Sequence, residues 1–374
     1  MRANTNNFFT ATGSIMPSAI EDQIKAIEDE IFNTPKNKAT ERHIGKLKAK
    51  IARLRDELRE EGTKRGGGRG YAIKKSGDAT VGIIGFPNVG KSTLLNRLTN
   101  AKSDVGDYAF TTVSVIPGMM EYKGAKIQIL DLPGLIRGSS SGAGRGKEIL
   151  AVVRSLDMIL LMIDARDPDQ FEIIRDELWD AGIRTNETPP DITIKRKDRG
   201  GIAVYTTASM DKTTIKAIAS EYVLNADVVI RGDVTERQLI DYLAGNRVYV
   251  PSVLVANKMD LMGPTDNALD LPGEWGQGVI PISAKNGEGL DELRAVIFRA
   301  LALMRIYLRR EGNVDEEPLI LNIGSTVGSV CDVIHRDMRK TFRHALVWGK
   351  SVRYPGQMVG IAHVLDDGDV LTIV

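Results

Sequence analysis

A glycine-rich segment at 85–92, GFPNVGKS, has the residue types and spacing of a loop that binds phosphate. It follows the apolar run TVGIIG and opens the stretch STLLNRLTN, so we expect a strand before it and a helix after it. Backbone N–H groups then converge on phosphate oxygens, and the helix N-terminus adds its dipole. The Lys91 ammonium would neutralise the β- and γ-phosphates, and the Ser92 hydroxyl would hold Mg²⁺. The residues expected to contact the nucleotide here are Gly85, Pro87, Asn88, Val89, Gly90, Lys91, Ser92 and Thr93.

Three further motifs follow apolar runs and carry groups that suit a guanine nucleotide. In DLPG the Asp131 carboxylate can reach Mg²⁺ through water, and the Gly134 N–H can meet a γ-phosphate. In NKMD the Asp260 carboxylate can accept the N1–H and N2–H₂ groups of guanine, a pair of donors that adenine does not offer. In SAK the Ala284 N–H is placed for guanine O6. The expected base pocket consists of Asn257, Lys258, Asp260, Ser283, Ala284 and Lys285.

The order of these motifs decides how they are interpreted. Taken alone, the pattern DxxG is common in turns, and the pattern NKxD would occur by chance in about 5% of chains of this length. Together they lie in the order, and at the strand ends, where a doubly wound sheet binds its ligands. The set therefore predicts binding of GTP rather than ATP.

A threonine-containing segment, YAFTTVSVIPG, lies between the first two motifs. A threonine hydroxyl here would complete the Mg²⁺ coordination, and its backbone would order only in the triphosphate state. Thr111 and Thr112 are both candidates, and their spacing does not separate them. Alternatively, the two β-branched residues simply begin a strand.

The elements that position these motifs have the pattern of an α/β fold. Short β-branched runs alternate with helical stretches from Ala79 onward, which is typical of a mostly parallel, doubly wound sheet covered on both faces. More than 80 residues separate the strand ending near Ala165 from the next at Ser252, whereas a crossover needs about a dozen. We therefore expect a small α/β module inserted at 183–247, within a GTPase domain at 78–182 and 248–304.

The two ends of the chain form separate patterns. Residues 1–77 predict a basic helical hairpin, with one helix over about 18–32 and a second with a heptad-like apolar seam. Its outward face carries Lys46, Lys48, Lys50, Arg53, Arg55 and Arg59. Residues 305–374 predict a small sheet crossed by one helix.

The balanced composition of the 374-residue chain, 50 Lys+Arg against 49 Asp+Glu, conceals a basic excess at its start. Residues 1–77 carry 16 Lys/Arg and 10 Asp/Glu. The single cysteine excludes an internal disulfide and favours a reducing compartment. No apolar run approaches the roughly 20 residues of a membrane span, so we expect a cytoplasmic protein with no membrane role. We also expect a monomer.

With these motifs the sequence resembles the Obg-related GTPases, and most closely an archaeal member of the developmentally regulated GTP-binding family. The resemblance rests on YAFTT followed by IPG, on DLPGLIRGSSSGAGRGKEILAVVRS, and on NKMD and SAK, and it extends over nearly the whole chain. It implies a P-loop GTPase sheet with an N-terminal hairpin, an inserted module and a C-terminal TGS-like β-grasp domain. It also implies a nucleotide-controlled switch on ribosomes or translation, with rRNA or tRNA contacts and a dedicated binding protein.

The resemblance also bears on catalysis, because Leu135 stands where Ras-like enzymes have the glutamine that orients water. Intrinsic hydrolysis should therefore be slow. Similar GTPases use K⁺ held by a P-loop asparagine, a position that Asn88 matches, although Asn88 could simply stabilise the turn. The expected catalytic residues are Lys91, Thr111, Thr112, Gly134 and Asn88. The expected Mg²⁺ ligands are Ser92, Thr111, Thr112 and Asp131, with Asn88 for K⁺.

Several interpretations stay open at this point. Arg137 and Arg145 could act in catalysis, bind RNA or be solvated charges on a loop. The basic hairpin and the run from His335 to Arg353 could contact RNA or be solvated faces. Alternative functions are an Obg-like role in ribosome assembly and an RNA-binding scaffold that keeps GTP as a structural ligand.

Overall fold

The computed structural model describes residues 19–64, 76–99, 116–132, 152–263, 278–310, 312–335 and 337–374, with backbone only at 58–64 and at Ile116. These residues fall into two compact units. We call Met1–Arg69 together with Pro189–Arg247 the hairpin unit, and Gly70–Thr188 together with Val248–Val374 the sheet unit.

The described elements follow the predicted alternation of strands and helices. The strands are β1 (Ala79–Gly85), β2 (Ile116–Tyr122), β3 (Ala125–Asp131), β4 (Met158–Asp164), β5 (Ile183–Thr185), β6 (Ile192–Arg196), β7 (Ile202–Thr206), β8 (Ala226–Ile230), β9 (Val248–Val250), β10 (Ser252–Asn257), β11 (Val279–Pro281), β12 (Leu303–Arg310), β13 (Asn313–Val314), β14 (Leu319–Asn322), β15 (Ala345–Trp348), β16 (Gln357–Val359) and β17 (Val370–Ile373). The helices are α1 (Ala19–Asn33), α2 (Glu41–Lys64), α3 (Lys91–Leu98), α4 (Gln170–Asp180), α5 (Lys212–Ala219), α6 (Glu236–Ala244), α7 (Leu290–Ala300), α8 (Val327–Ile334) and α9 (Met338–Thr341).

The central sheet of the sheet unit has the order β11-β10-β4-β1-β3-β2. All neighbours are parallel except β2, which runs antiparallel to β3 at one edge. Every residue of β1 and β4 is buried, because helices α3 and α7 contribute to the core on one face and α4 to the core on the other. Parallel pairing brings the carboxyl ends of β1, β3, β4, β10 and β11 to one edge.

A second sheet follows α7 directly and is built from β12 to β17. Its order is β13-β12-β17-β15-β16, and β14 pairs with β12 off that path. Helix α8 places Val327, Val330 and Cys331 in the core beneath the sheet. The predicted sheet crossed by a helix is therefore present at the C-terminus.

The hairpin unit combines the predicted helical hairpin with most of the inserted segment. The seam of α2 packs on α1 through Ile27, Leu47, Ile51 and Leu54. Another face of α2 places Ala49 in the core formed by α5 and the sheet β6-β8-β7. The hairpin therefore packs on the inserted segment within one compact unit.

The expected inserted module, 183–247, begins with the first residue of β5 and ends just before β9. Strands β5 and β9 pair in parallel, with Ile183 opposite Val248. Both strands belong to the sheet unit, and the hairpin unit takes only Pro189–Arg247.

The helices that the structure describes include none with the length and apolar character of a membrane span.

Candidate nucleotide-binding site

The glycine-rich loop connects the end of β1 to α3, as its strand and helix context predicts. The Lys91 ammonium points back into the loop and donates to the carbonyl oxygens of Gly85 and Phe86, each at 3.0 Å. Burial lowers the pKa of Lys91, and the nearby Asp131 carboxylate opposes that shift. The loop thus surrounds one cation at the place where a polyphosphate would need it.

Two left-handed residues give the loop its shape. Asn88 has φ 62° and Gly90 has φ 105°. A Cβ at Gly90 would lie 2.4 Å from Nδ2 of Asn257, so the loop approaches β10 too closely for any side chain there. Two independent reasons therefore require glycine at this position: its backbone angle and the close approach of Asn257.

Ser92 and Asp131 lie together at the start of α3 and the end of β3. The Ser92 hydroxyl donates to Oδ2 of Asp131 at 2.5 Å. Among the described residues, Oδ1 of Asp131 is buried and has no hydrogen-bond partner. A hydroxyl and a carboxylate oxygen are the ligands that Mg²⁺ prefers, so these two residues fit a magnesium ion.

Asn257, at the end of β10, joins two segments of the site. Its Nδ2 donates to the carbonyl of Val89 in the glycine-rich loop at 2.8 Å. Its Oδ1 accepts the N–H of Ala284 at 2.9 Å. Because Asn257 is buried, each of these bonds satisfies a polar group that water does not reach. The side chain holds the phosphate loop and the SAK segment in fixed register.

Asp260 and Ser283 form the other side of the expected base pocket. The Ser283 hydroxyl donates to Oδ1 of Asp260 at 2.7 Å and accepts the N–H of Asn286 at 3.1 Å. Asp260 is exposed, so its carboxylate is accessible to a ligand. The carbonyl of Lys285 accepts a bond from the Arg97 guanidinium at 2.6 Å, which ties the SAK segment to the end of α3.

The side chain of Lys258 reaches a residue that the sequence motifs do not include. Its ammonium lies 2.9 Å from Oδ2 of Asp164, at the end of β4, and the Arg166 guanidinium also binds that carboxylate. Both cations hold the pKa of Asp164 well below its usual range, with Arg166 the larger cause. The sequence does contain a signal that could have identified Asp164: a carboxylate at the end of a continuous apolar strand, at the edge where such sheets bind ligands.

The site residues predicted from the sequence thus divide into two sets. The structure brings together the members of the glycine-rich loop, Asp131 and the base-pocket residues at one edge of the central sheet. The other predicted site residues, Thr111, Thr112 and Gly134, lie outside the described residues, as do Leu135, Arg137 and Arg145.

Comparison with family models divides the chain into three matched parts. Residues 80–196 match a model described as a 50S ribosome-binding GTPase. Residues 199–303 match the C-terminal region associated with that domain, and residues 304–374 match the TGS domain. The P-loop GTPase fold and the C-terminal TGS domain are therefore confirmed.

Curated relatives match the chain over almost its full length. A GTP-binding protein of Methanocaldococcus jannaschii is 51% identical, over 99% of this chain and 96% of that protein. The ribosome-interacting GTPase 1 of Saccharomyces cerevisiae is 43% identical, over 95% and 99%. The developmentally regulated GTP-binding protein 1 of Xenopus laevis is 43% identical, over 94% and 98%. A solved structure of the Schizosaccharomyces pombe YchF GTPase aligns with a TM-score of 0.47 at 17% identity, covering 80% of this chain and 99% of that one.

Proposed function

The chain belongs to the family of developmentally regulated GTP-binding proteins, and from this premise we propose that it hydrolyses GTP to GDP and phosphate as a switch on ribosomes. The observation that carries the proposal is the pair of hydrogen bonds made by the Asn257 side chain, which join the phosphate loop to the base pocket. One side chain then couples recognition of guanine to the position of the phosphates. GTP, with GDP as its product, is the ligand that such a pocket suits.

The chemistry proposed is attack of a water on the γ-phosphate. Lys91 would bind the β- and γ-phosphate oxygens, and the N–H groups of the loop would align them. Ser92 and Asp131 would hold Mg²⁺, which would neutralise phosphate charge when bound. Thr111 or Thr112 and the Gly134 N–H complete the proposed set around the γ-phosphate.

Leu135 has no group that could orient the attacking water, so the proposed intrinsic rate is slow. We propose that K⁺, bound through Asn88, supplies the missing positive charge. Asn88 is exposed on the loop, where its side chain is accessible to a nucleotide and an ion. Its left-handed backbone is equally consistent with a structural part in the turn.

Release of phosphate from GTP tests the enzymatic part of the proposal. We expect turnover in KCl with Mg²⁺ that Lys91→Ala abolishes, because no other described cation lies inside the loop. Turnover in NaCl should be slower, and Asn88→Ala should remove that difference. Wild-type release no greater than that of Lys91→Ala would favour a scaffold that keeps GTP as a structural ligand. Equal rates in both salts would remove the role of K⁺.

The proposed client is the ribosome, contacted through RNA. The yeast relative is named a ribosome-interacting GTPase, and the chain also presents cations to a polyanion. In the part of the TGS domain that the structure describes, Arg343, Lys350 and Arg353 are exposed and form no ion pair. At the end of β6 and in the turn to β7 the same holds, within the described residues, for Lys195, Arg196 and Arg199. These two groups of cations are the RNA contacts we propose.

The hairpin contributes fewer unpaired cations than its sequence indicates. Lys46 and Lys48 of α2 pair with Glu221 and Glu236 of the inserted segment, at 3.6 and 2.8 Å. Arg53 also reaches Glu221. Part of the predicted basic face therefore stabilises the hairpin unit itself.

Sedimentation of the tagged protein from lysate tests the choice of client. With a non-hydrolysable GTP analogue we expect the protein in the polysome fractions, and with GDP we expect it to be released. Migration with free subunits in both states would instead favour the Obg-like role in assembly. A protein that remains at the top of the gradient in both states would contradict the ribosomal proposal. Capture of the tagged protein from the same fractions would show whether a dedicated binding protein accompanies the chain.

A further inference from the structure

Lys258 occupies a backbone conformation that a lysine rarely adopts. Its φ is 68°, in the left-handed region, and the next residue, Met259, donates its N–H to the carbonyl of Ile282 at 3.1 Å. The Cα of Lys258 is thus fixed between Asn257, which joins the phosphate loop to the SAK segment, and Asp260, the expected acceptor for guanine. A left-handed, non-glycine residue costs about 1–2 kcal/mol, so surrounding contacts must maintain it.

The far end of the Lys258 side chain is fixed as well. Its ammonium lies 2.9 Å from Oδ2 of Asp164, whose side chain is 10% exposed. In the pairing of β4 with β10, Asp164 lies directly opposite Asn257, and Ala165 donates to the carbonyl of Asn257 at 2.9 Å. The carboxylate therefore sits on the strand beside the one that carries the base-pocket residues. With both ends held, the methylene stem of Lys258 is fixed as well, and such a stem can cover apolar surface while its charged end stays paired.

Arg166 orients the carboxylate that holds Lys258. Its Nε donates to Oδ1 of Asp164 at 2.9 Å, and its terminal nitrogen donates to Oδ2 at 2.7 Å. The backbone N–H of Arg166 also donates to Oδ1, at 3.1 Å. A bidentate guanidinium fixes the plane of a carboxylate, and here it leaves Oδ2 directed at Lys258.

We propose that Asp164 is a positioning residue for guanine binding, which acts by holding the side chain of Lys258, while Arg166 orients Asp164. The proposal rests on GTP binding by this pocket. It assigns the pair no contact with the γ-phosphate, because both residues lie at the base end of the site. The pair should therefore act on retention of the nucleotide and leave the chemical step unchanged.

Displacement of a fluorescent GDP analogue by excess GDP measures that retention. Asp164→Asn keeps the size of the side chain but removes its charge, so we expect dissociation about tenfold faster, the loss of one charged hydrogen bond. The KM for GTP should rise by a similar factor while kcat stays within about twofold. Asp164→Glu, which restores the carboxylate, should recover part of the retention. Asp227→Asn removes the acid of a partly exposed pair with Lys197 in the hairpin unit and should leave the dissociation rate unchanged.

A double-mutant cycle separates positioning from a general structural defect. In the Lys258→Met background, Asp164→Asn should have little further effect on dissociation, since the group it holds is gone. An equal tenfold effect in that background would overturn the proposal. Arg166→Gln provides a variant at a half-exposed position, and we expect it to raise the dissociation rate about twofold to threefold through a looser carboxylate. A wild-type rate in both Asp164→Asn and Arg166→Gln would also overturn it.

Measurements on the wild-type chain distinguish a failure of GTP binding from a failure of the role of Asp164. If wild type binds no fluorescent GDP, GTP binding at this pocket fails and the role of Asp164 fails with it. If wild type binds and Asp164→Asn retains the nucleotide equally well, only the role of Asp164 is wrong.

Discussion

Gly90 shows how narrowly a single residue is constrained at this site. Its φ of 105° is a backbone requirement, and the 2.4 Å that would separate an added Cβ from Nδ2 of Asn257 is a steric one. Substitution should therefore displace the side chain that joins the phosphate loop to the base pocket. Substitution of Gly90 should therefore lower both the stability of the fold and the affinity for the nucleotide.

For Gly90→Ala we expect a loss of about 1–2 kcal/mol in the free energy of unfolding from the left-handed backbone. We also expect weaker GDP binding, because Asn257 must move. Urea unfolding and GDP titration measure the two effects. Gly245→Ala is the matched control, since Gly245 has φ 69° but open space around its Cβ position. It should show the backbone cost alone; a similar loss of GDP affinity there would contradict the steric explanation.

Cys331 gives a prediction with a defined pH window. Burial raises the pKa of its thiol, and the nearby Asp332 adds to the shift. The folded chain then holds the thiol proton more tightly than the unfolded chain. The contribution of Cys331 to stability is full below the ordinary thiol pKa of about 8.5 and is lost as the pH rises from there through the raised value. Urea unfolding between pH 7 and 10 should show a steeper decline for wild type than for Cys331→Ala, and parallel curves would contradict it.

At the scale of elements, a buried ionic cluster joins α2 to the inserted segment. Arg247 donates to Asp241 at 2.9 Å and to Asp56 of α2 at 3.1 Å, and its side chain is 7% exposed. Tyr222 adds a bond from its hydroxyl to the carbonyl of Ala49 at 3.2 Å. The same burial raises the pKa of Tyr222, so its hydroxyl remains protonated and can donate.

Loss of this cluster should detach α2 from its support. For Arg247→Met we expect a loss of about 3–5 kcal/mol, because two carboxylates are left near each other in a buried position. Hydrogen exchange of the α2 amides should accelerate accordingly. Arg231→Met, which removes an exposed pair with Asp191, should change stability by no more than about 0.5 kcal/mol. Unchanged exchange in α2 after Arg247→Met would show that the apolar contacts of α2 suffice.

The cluster also illustrates what the sequence could and could not predict. The seam of Ile27, Leu47 and Ile51 follows from periodicity, since apolar residues three and four apart share one helical face. The partner of α2 did not follow, because it lies well over a hundred residues away in the chain. From the sequence, Lys48 is predicted to belong to a basic face, but in the structure its charge is paired with Glu236. Charges balanced across distant segments leave no local pattern.

The residues of the candidate site likewise divide into those that a local motif predicts and one that depends on strand pairing. The phosphate loop and the NKMD motif carry their chemistry in a few consecutive residues, so spacing sufficed to find them. Asp164 reaches Lys258 because β4 pairs with β10, and only the strand register brings it beside Asn257. An acid at the end of an apolar strand indicates a ligand edge but names no partner.

For the whole molecule, ribosome binding should depend on salt. Three exposed TGS cations, Arg343, Lys350 and Arg353, are available to neutralise RNA phosphates. Replacing all three with glutamine should weaken co-sedimentation and reduce the slope of log affinity against log salt by about 2–3. The matched control replaces Arg339 and Lys340, which pair with Asp332 and Asp337, and should change the slope less. An unchanged slope in the triple variant would place the RNA contacts elsewhere.

The parallel pair β5 and β9 holds both ends of the inserted segment at one place on the sheet unit. The segment therefore fills a crossover, a connection whose length the flanking strands do not restrict. Extending a flexible crossover from about a dozen residues to five times that length adds only roughly 1.4 kcal/mol of closure cost. A core such as that around Ile215 and Val228 readily exceeds this amount. A connection at this position can therefore carry a surface of its own while the strands on either side of it keep their pairing.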